Sequence, residues 1–212
     1  SHEPVGLAPD PAVTAEAVVQ AYAARTWGWR GYFGVHTWIA VKPAGARTYT
    51  VYEVIGWRLR REDSALAIRS RVPDERWFGS APVLIADKRG PEADALIRRV
   101  DQAARAYPYA AEYTLWPGPN SNTFTAWVGR AVPELALDLP PTAIGKDYLG
   151  DRLVAAAPSG SGVQFSLFGL LIGLLFMSLI ARLYAIQIDL RRAINERDLK
   201  RFTLASLNGR AA

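Results

Sequence analysis

Residues 30–60 read RGYFGVHTWIAVKPAGARTYTVYEVIGWRLR and contain two strand-like segments on either side of a turn. The flanks, residues 30–42 and 48–60, are rich in β-branched and aromatic residues, which favour strands. Between them, residues 43–47 read PAGAR, and a proline close to a glycine is typical of a turn. The stretch therefore predicts a β-hairpin centred near Gly45.

Outward from this hairpin, the spacing of apolar residues predicts both helices and short strands. Thr14 is a candidate cap for a helix over residues 14–25. The amphipathic pattern of residues 92–107 follows Gly90-Pro91 and predicts a second helix. The other predicted elements are strands over 65–70, 82–87 and 112–116 and a helix over 121–130. This order of elements indicates an α+β fold, an antiparallel sheet packed with helices.

The composition excludes several classes of protein. Half of the 212 residues are hydrophobic and 21% are charged, which excludes a disordered tail and a collagen-like fibre. The chain has no cysteine, so disulfide scaffolds, thiol nucleophiles and thiolate metal sites are excluded as well. Residues 182–212 carry seven basic and three acidic side chains and thus supply most of the net charge of +5.

The C-terminal part combines an apolar run with this basic tail. Residues 163–181 read VQFSLFGLLIGLLFMSLIA, close to the ~20 residues that span a bilayer as a helix. The basic residues that follow would then place the tail in the cytoplasm and the body in the periplasm. Alternation in residues 184–190, YAIQIDL, favours buried strands instead. Both readings of residues 163–190 stay open. A basic tail that follows an apolar run favours a membrane surface or a membrane-protein partner over nucleic acid.

These patterns divide the chain into three parts. Residues 1–13 form a Pro-rich extended lead-in, residues 14–160 the α+β domain, and residues 161–212 the apolar segment with its basic tail. The chain does not begin with Met, which fits a removed export signal or N-terminal anchor. We therefore expect a membrane-associated periplasmic protein.

His36 and Ser121 are the candidate catalytic residues. His36 is the only histidine outside the extreme N-terminus, and it lies within a predicted strand. Ser121 follows Asn120, a candidate N-cap, and would lie in the first turn of a helix, where free N–H groups stabilise a developing anion. The alternatives are a structural histidine and a plain capping turn.

Glu53 is the candidate for orienting His36, because a hairpin centred near Gly45 places positions 36 and 53–54 side by side. A solvent-facing Glu53 is the alternative reading. Asn120 and Asn122, with Trp38 and Trp116, are candidate substrate-binding residues. Neither a metal nor a cofactor is predicted. The His, Asp and Glu residues do not have the spacing of metal ligands, and no phosphate-binding glycine loop follows a predicted strand.

The order of these motifs resembles a known superfamily. A strand histidine followed by NSNTF, residues 120–124, resembles the circularly permuted papain-like proteins of the NlpC/P60 and lecithin:retinol acyltransferase-like group. The resemblance implies a papain-like fold and a nucleophile at position 121. Ser121 stands where those proteins have cysteine, and serine is the weaker nucleophile.

A second resemblance covers residues 3–162. The strings VVQAYAARTWGWRGYFGVHTWIAVKPAGA, YEVIGW, WPGPNSNTFTAWV and VPELALDLPPTAIGKDYL resemble domain-of-unknown-function family 3750 of Gram-negative bacteria. This resemblance implies a Gram-negative source, so the membrane expected from the apolar run and basic tail is the inner membrane of such a bacterium. The family carries no established activity.

Two functional hypotheses follow. The first is a cell-envelope Ser/His hydrolase or acyl or amide transferase of papain-like fold, acting on a peptide, peptidoglycan or lipid ligand. In it, His36 is the base, Glu53 orients it, Ser121 is the nucleophile, and the N–H groups of Ser121 and Asn122 bind the oxyanion. The alternative is a non-catalytic binding or assembly module of a membrane complex that kept the fold and lost the nucleophile.

Overall fold

The computed structural model of the chain describes residues 3–28, 31, 34–150, 152, 154–159, 163–165 and 187. The chain divides into two compact units, residues 1–166 and 167–212. The first unit contains every helix and strand described below.

A five-stranded antiparallel sheet forms the centre of the first unit. Its strands lie in the order β4-β3-β2-β1-β5. Their bounds are β1 Val18–Arg25, β2 Val35–Lys42, β3 Thr50–Val54, β4 Leu66–Ser70 and β5 Val83–Arg89. The predicted hairpin is therefore confirmed as β2 and β3, and the short predicted strands are β4 and β5.

Two helices follow the sheet in the chain. They are α1, Pro91–Arg105, and α2, Ser121–Ala131. A short 3-10 helix, Gly56–Arg60, follows β3. The two predicted helices at these positions are confirmed, and five antiparallel strands with two helices make the fold α+β.

Both faces of the sheet are buried, by different parts of the chain. Ile39 and Tyr52 point to the face covered by α1 and α2 and belong to the main hydrophobic core. Trp38 and Val51, their neighbours in the chain, point to the other face and pack against Leu7 and Trp77. This alternation follows from the period of two in a strand. It places His36 and Glu53 on the face opposite the helices.

The predicted helix over residues 14–25 is wrong, because most of that segment is the strand β1. β1 lies between β2 and β5 and is buried on both faces, from Val18 to Ala24. A central strand buried on both sides needs apolar residues at nearly every position, so its sequence lacks clear alternation. The apolar spacing of such a strand also fits a helix, which explains the error.

The predicted strand over residues 112–116 is also wrong, since this segment has irregular structure.

The N-terminal lead-in packs on the body of the domain: the N–H of Leu7 donates to Asp74 Oδ2 at 2.7 Å. Tyr49 donates its hydroxyl proton to the carbonyl of Pro9 at 2.8 Å.

A second, two-stranded sheet lies near the end of the first unit. It pairs β6, Val154–Ala156, with β7, Val163–Phe165. The predicted transmembrane helix or buried strands over residues 163–190 otherwise lie almost entirely outside the described residues. Among the residues that are described, no helix is long and apolar enough to cross a membrane.

Candidate functional site

Ser121 lies at the N-terminus of α2, where a capping box holds the first turn. Asn120 Oδ1 accepts hydrogen bonds from the backbone N–H groups of Asn122 at 2.9 Å and Thr123 at 3.2 Å. The Thr123 hydroxyl oxygen accepts in return from the Asn120 N–H at 3.1 Å. The predicted cap and helix start are confirmed at these residues.

The Asn120 amide also anchors the loops around the helix start. Its Nδ2 donates to the backbone carbonyls of Leu115 and Ile144, both at 3.1 Å. Gly145 lies against the same amide at φ +93°, and a Cβ there would be 2.3 Å from Asn120 Nδ2. A side chain at position 145 would therefore displace the cap.

Asn122 ties α2 to the strand that carries His36. Its Nδ2 donates to the carbonyls of Val35 at 3.0 Å and Ile144 at 2.8 Å. Its Oδ1 lies 3.0 Å from the hydroxyl oxygen of Thr37. These bonds fix the helix start beside the first residues of β2, so Ser121 and His36 reach the same end of the sheet.

His36 contacts Glu53 on the neighbouring strand, with Nε2 3.3 Å from Oε2. Ile39 pairs with Tyr52, so Trp38 is opposite Glu53 and His36 lies one diagonal position along. The predicted proximity is confirmed, and the alternative of a solvent-facing Glu53 is wrong because that side chain is fully buried. The orienting role itself stays a prediction.

Two arginines of the β4 edge hold the other side of Glu53. Arg69 Nη2 donates to Glu53 Oε1 at 2.9 Å, and Arg71 Nε donates to the same oxygen at 3.3 Å. Arg71 Nη2 reaches Oε2 at 3.4 Å. The carboxylate therefore accepts bonds from three cationic or potentially cationic side chains.

Burial and the neighbouring charges together determine the protonation states of Glu53 and His36. Burial by itself would raise the pKa of Glu53, but the His36 hydrogen bond and the Arg71 charge outweigh it and hold the pKa at about 2. Burial lowers the pKa of His36, which outweighs the opposite effect of Glu53. At neutral pH the pair is a neutral imidazole beside a carboxylate.

That charge state also assigns the tautomer of His36. An ionised carboxylate can only accept a hydrogen bond, so Nε2 carries the proton and donates it to Glu53. Nδ1 is then the nitrogen with the lone pair. A histidine in this state can accept a proton at Nδ1.

Aromatic rings fix the plane of the imidazole. Trp77 stacks on His36 with ring centroids 3.9 Å apart and planes 12° apart. Trp38 lies 5.6 Å from the same imidazole, and the Arg71 guanidinium lies 5.4 Å from the Trp38 ring. Trp38 is fully buried and packs beside the imidazole on the same face of the sheet.

His36 and Ser121 both line a cavity of about 300 Å³. Its wall is mostly apolar, and several of its aromatic side chains are exposed at the rim: Trp27 is 56% exposed, Trp57 49% and Trp116 58%. Ile55, Trp77, Asn120 and Asn122 line the same cavity.

The structure brings most of the predicted site residues together. His36, Ser121, Asn120, Asn122 and Trp116 line the cavity. Glu53 and Trp38 both contact the His36 imidazole, but neither residue lines the cavity.

Two expected contacts are missing within the described part of the chain. No hydrogen bond joins the Ser121 hydroxyl to His36 there. The N–H of Asn122 donates to the Asn120 side chain, so it is not available for an oxyanion. The N–H of Ser121 meets no acceptor among the described residues, which leaves it as the available donor of the first turn.

Sequence reasoning missed Arg69, Arg71 and Trp77. The two arginines occupy alternate positions at the end of a predicted strand, and period-two spacing places them on one face. That spacing could have pointed to a carboxylate partner on the next strand. Trp77 comes from an irregular segment, and no local pattern places its ring on His36.

Among the described residues, no group of three or more His, Asp and Glu side chains is arranged to hold a metal ion.

The chain matches a family model described as "Protein of unknown function (DUF3750)" over residues 16–148. No curated protein and no solved structure matches the chain. The matched region runs from just before β1 to the loop after α2, so it contains His36, Glu53 and Ser121. The model covers well over half of the 212 residues, and the chain therefore belongs to the DUF3750 family.

Proposed function

We propose that this protein is a Ser/His acyl hydrolase or transferase with a papain-like arrangement of strand histidine and helix-borne nucleophile. The proposal rests on one observation: two reactive side chains line the same apolar cavity. One is the neutral imidazole of His36 backed by ionised Glu53, and the other is the hydroxyl of Ser121 at a helix start.

In the proposed reaction, Ser121 Oγ attacks the carbonyl carbon of an ester or amide, and its proton passes to His36 Nδ1. The oxygen that becomes negative is bound by the Ser121 N–H at the positive end of α2. The bond to the leaving group then breaks, and that group takes the proton from Nδ1. Water or a second acceptor attacks the acyl-serine and regenerates the hydroxyl.

Glu53 supports this reaction by fixing the tautomer. With its pKa at about 2, Glu53 stays ionised and keeps the proton of the neutral imidazole on Nε2. When Nδ1 takes a proton, the imidazolium next to Glu53 is stabilised by that charge. Free serines and histidines lack this preorganisation.

The test uses a fluorophosphonate probe, which forms a covalent bond to an activated serine. We expect the wild type to be labelled and Ser121→Ala not to be. The labelling rate should fall by about 100-fold in His36→Gln, since a general base contributes at least that much. Ser70→Ala removes an exposed serine outside the cavity and should be labelled as the wild type is.

The pH dependence of labelling provides a further check. Because the pKa of His36 lies below its ordinary value of 6.5, most molecules hold a neutral imidazole at pH 6.5. We expect the labelling rate at pH 6.5 to stay above half of its plateau at pH 8. A midpoint at or above 6.5, or equal labelling of Ser121→Ala, would contradict the proposal.

A non-catalytic binding module is the second candidate, and two observations favour it. Ser121 and His36 form no hydrogen bond within the described residues, and the Asn122 N–H is occupied by the helix cap. In this function the apolar cavity binds a ligand without chemistry. Absence of labelling combined with ligand binding would support it.

The proposed setting is the periplasmic side of the inner membrane. It rests on the apolar run of residues 163–181 and the basic tail that follows it. A membrane surface, or a protein within the membrane, is the partner that this composition fits.

A further inference from the structure

A second groove adjoins the cavity and shares its wall. Ile55, Trp57 and Trp77 line both spaces. On the far side of these residues, the groove is bordered by four arginines and one acidic residue: Arg58, Arg60, Arg61, Arg69 and Glu62. An apolar space and a cationic space therefore meet at one wall of aromatic rings.

Two of the four arginines already pair with carboxylates. Arg58 pairs with Glu62, four residues later in the chain. Arg69 pairs with the buried Glu53 at 2.9 Å. Arg60 and Arg61 form no ion pair with any described residue, and both are exposed. The groove thus carries two positive charges that no acidic side chain of the described chain balances.

The shared wall consists of rings that suit a chain with a polar end. Trp57 stacks with Trp77 at 5.8 Å and meets Phe78 edge-on at the same distance. Trp57 and Phe78 are about half exposed, 49% and 57%. Exposed tryptophans beside arginines are typical of surfaces that contact both acyl chains and charged head groups.

We propose that the groove holds the anionic head group of an amphiphilic ligand whose acyl chain lies in the cavity. Such a ligand would be the substrate class of the proposed acyl transfer. Only the reaction of the bound ligand rests on that proposed function; the binding itself does not. Arg60 and Arg61 supply the charge-assisted hydrogen bonds to the head group. Trp57 separates the two parts of the ligand.

The test is calorimetric binding to the Ser121→Ala variant of the whole 212-residue chain, which cannot turn the ligand over through Ser121. The probes are dihexanoyl phosphatidylglycerol and dihexanoyl phosphatidylcholine, both kept as monomers below their micelle-forming concentrations. They share acyl chains and differ in net charge. We expect the anionic lipid to bind about 10-fold more tightly, which corresponds to about 1.4 kcal/mol.

Variants then assign the preference to the groove. Arg60→Gln/Arg61→Gln should abolish the preference, so that phosphatidylglycerol and phosphatidylcholine bind with the same affinity. Arg47→Gln/Arg98→Gln removes the same charge from the β2–β3 connection and from α1, and it should keep the 10-fold preference. Trp57→Ala should weaken both lipids. Thermal unfolding of each variant checks that the fold is kept.

Several results would overturn the proposal. They are equal binding of the two lipids, a preference that survives loss of Arg60 and Arg61, and inorganic phosphate binding as tightly as phosphatidylglycerol. The last result would show a site for free anions. Because binding is measured without Ser121, a failure of fluorophosphonate labelling would contradict the proposed reaction and leave this ligand site standing.

Discussion

Glu53 is the residue on which the polar part of the site depends. It is fully buried, yet it accepts hydrogen bonds from His36, Arg69 and Arg71. A buried carboxylate is costly unless such partners compensate for the lost water. Its position and ionisation therefore hold two strands, β2 and β4, to β3 through side chains as well as through the backbone.

The first prediction concerns Glu53→Gln, which we expect to lower the free energy of unfolding by about 3 kcal/mol at pH 7. The pKa of Glu53 is depressed to about 2, so the unfolded chain takes up this proton at higher pH than the folded one. The contribution of Glu53 is therefore complete above pH 4.5 and is lost as pH falls through 2. Urea unfolding between pH 3 and 8 measures it.

The difference between the wild type and Glu53→Gln should be constant from pH 6 to 8 and shrink below pH 4.5. His36 adds a separate loss of stability below pH 6.5 in both proteins, because its lowered pKa means that the unfolded chain is protonated first. A difference that stays constant down to pH 3 would contradict the assigned charge of Glu53.

At the scale of elements, α2 positions the site through its first turn. Its start is specified locally, since Asn120 and Thr123 have the spacing of a capping box and lie just before apolar helix positions. Its place beside β2 is not local: it depends on the bonds from Asn122 to Val35 and Ile144. The sequence could predict the first and not the second.

The second prediction compares Asn120→Ala with Ser121→Ala. Asn120→Ala removes the acceptor for two N–H groups and the donor to the carbonyls of Leu115 and Ile144, so we expect a loss of about 2–4 kcal/mol. Ser121→Ala removes a hydroxyl without a hydrogen bond to the described residues and should change stability by less than about 0.5 kcal/mol. Denaturant unfolding of the pair measures both.

Asn120→Asp separates the two roles of the side chain. It keeps the oxygen that caps the helix and loses the Nδ2 donor to Leu115 and Ile144. We expect its stability to lie between those of the wild type and Asn120→Ala. If Asn120→Ala were as stable as Ser121→Ala, the cap would not be what holds the helix start.

The elements also show where sequence patterns mislead. α2 begins at a helix cap, and Asn120 in the sequence predicts that start correctly. β1 lies between β2 and β5 and is buried on both faces. Its apolar residues therefore do not alternate with polar ones, and their spacing does not distinguish a strand from a helix.

At the scale of the whole molecule, the chain divides into units at residues 1–166 and 167–212. The third prediction concerns a chain that ends at residue 166. We expect this truncation to move the protein from the carbonate-resistant membrane fraction to the soluble one, because it removes most of the apolar run and all of the basic tail. Membrane extraction followed by immunoblotting measures this.

The truncated chain retains the sheet, both helices and the cavity, so its fluorophosphonate labelling should match that of the full chain. A truncated protein that stays in the carbonate-resistant fraction would contradict the assignment of membrane contact to residues 167–212. In that case, the exposed rings at Trp27, Trp57 and Trp116 would be the next surface to test.

The sequence by itself determined the hairpin, the capped start of α2 and the α+β class, because each is encoded by residues close together in the chain. It also determined the near pairing of His36 with Glu53, since the length of a hairpin sets which positions meet. Only the tertiary structure decided which atoms are available there. Arg69 and Arg71 neutralise Glu53, Trp77 stacks on His36, and Asn120 occupies the Asn122 N–H. The reason is physical: local backbone preferences act over a few residues, whereas burial and charge depend on segments that the fold brings together.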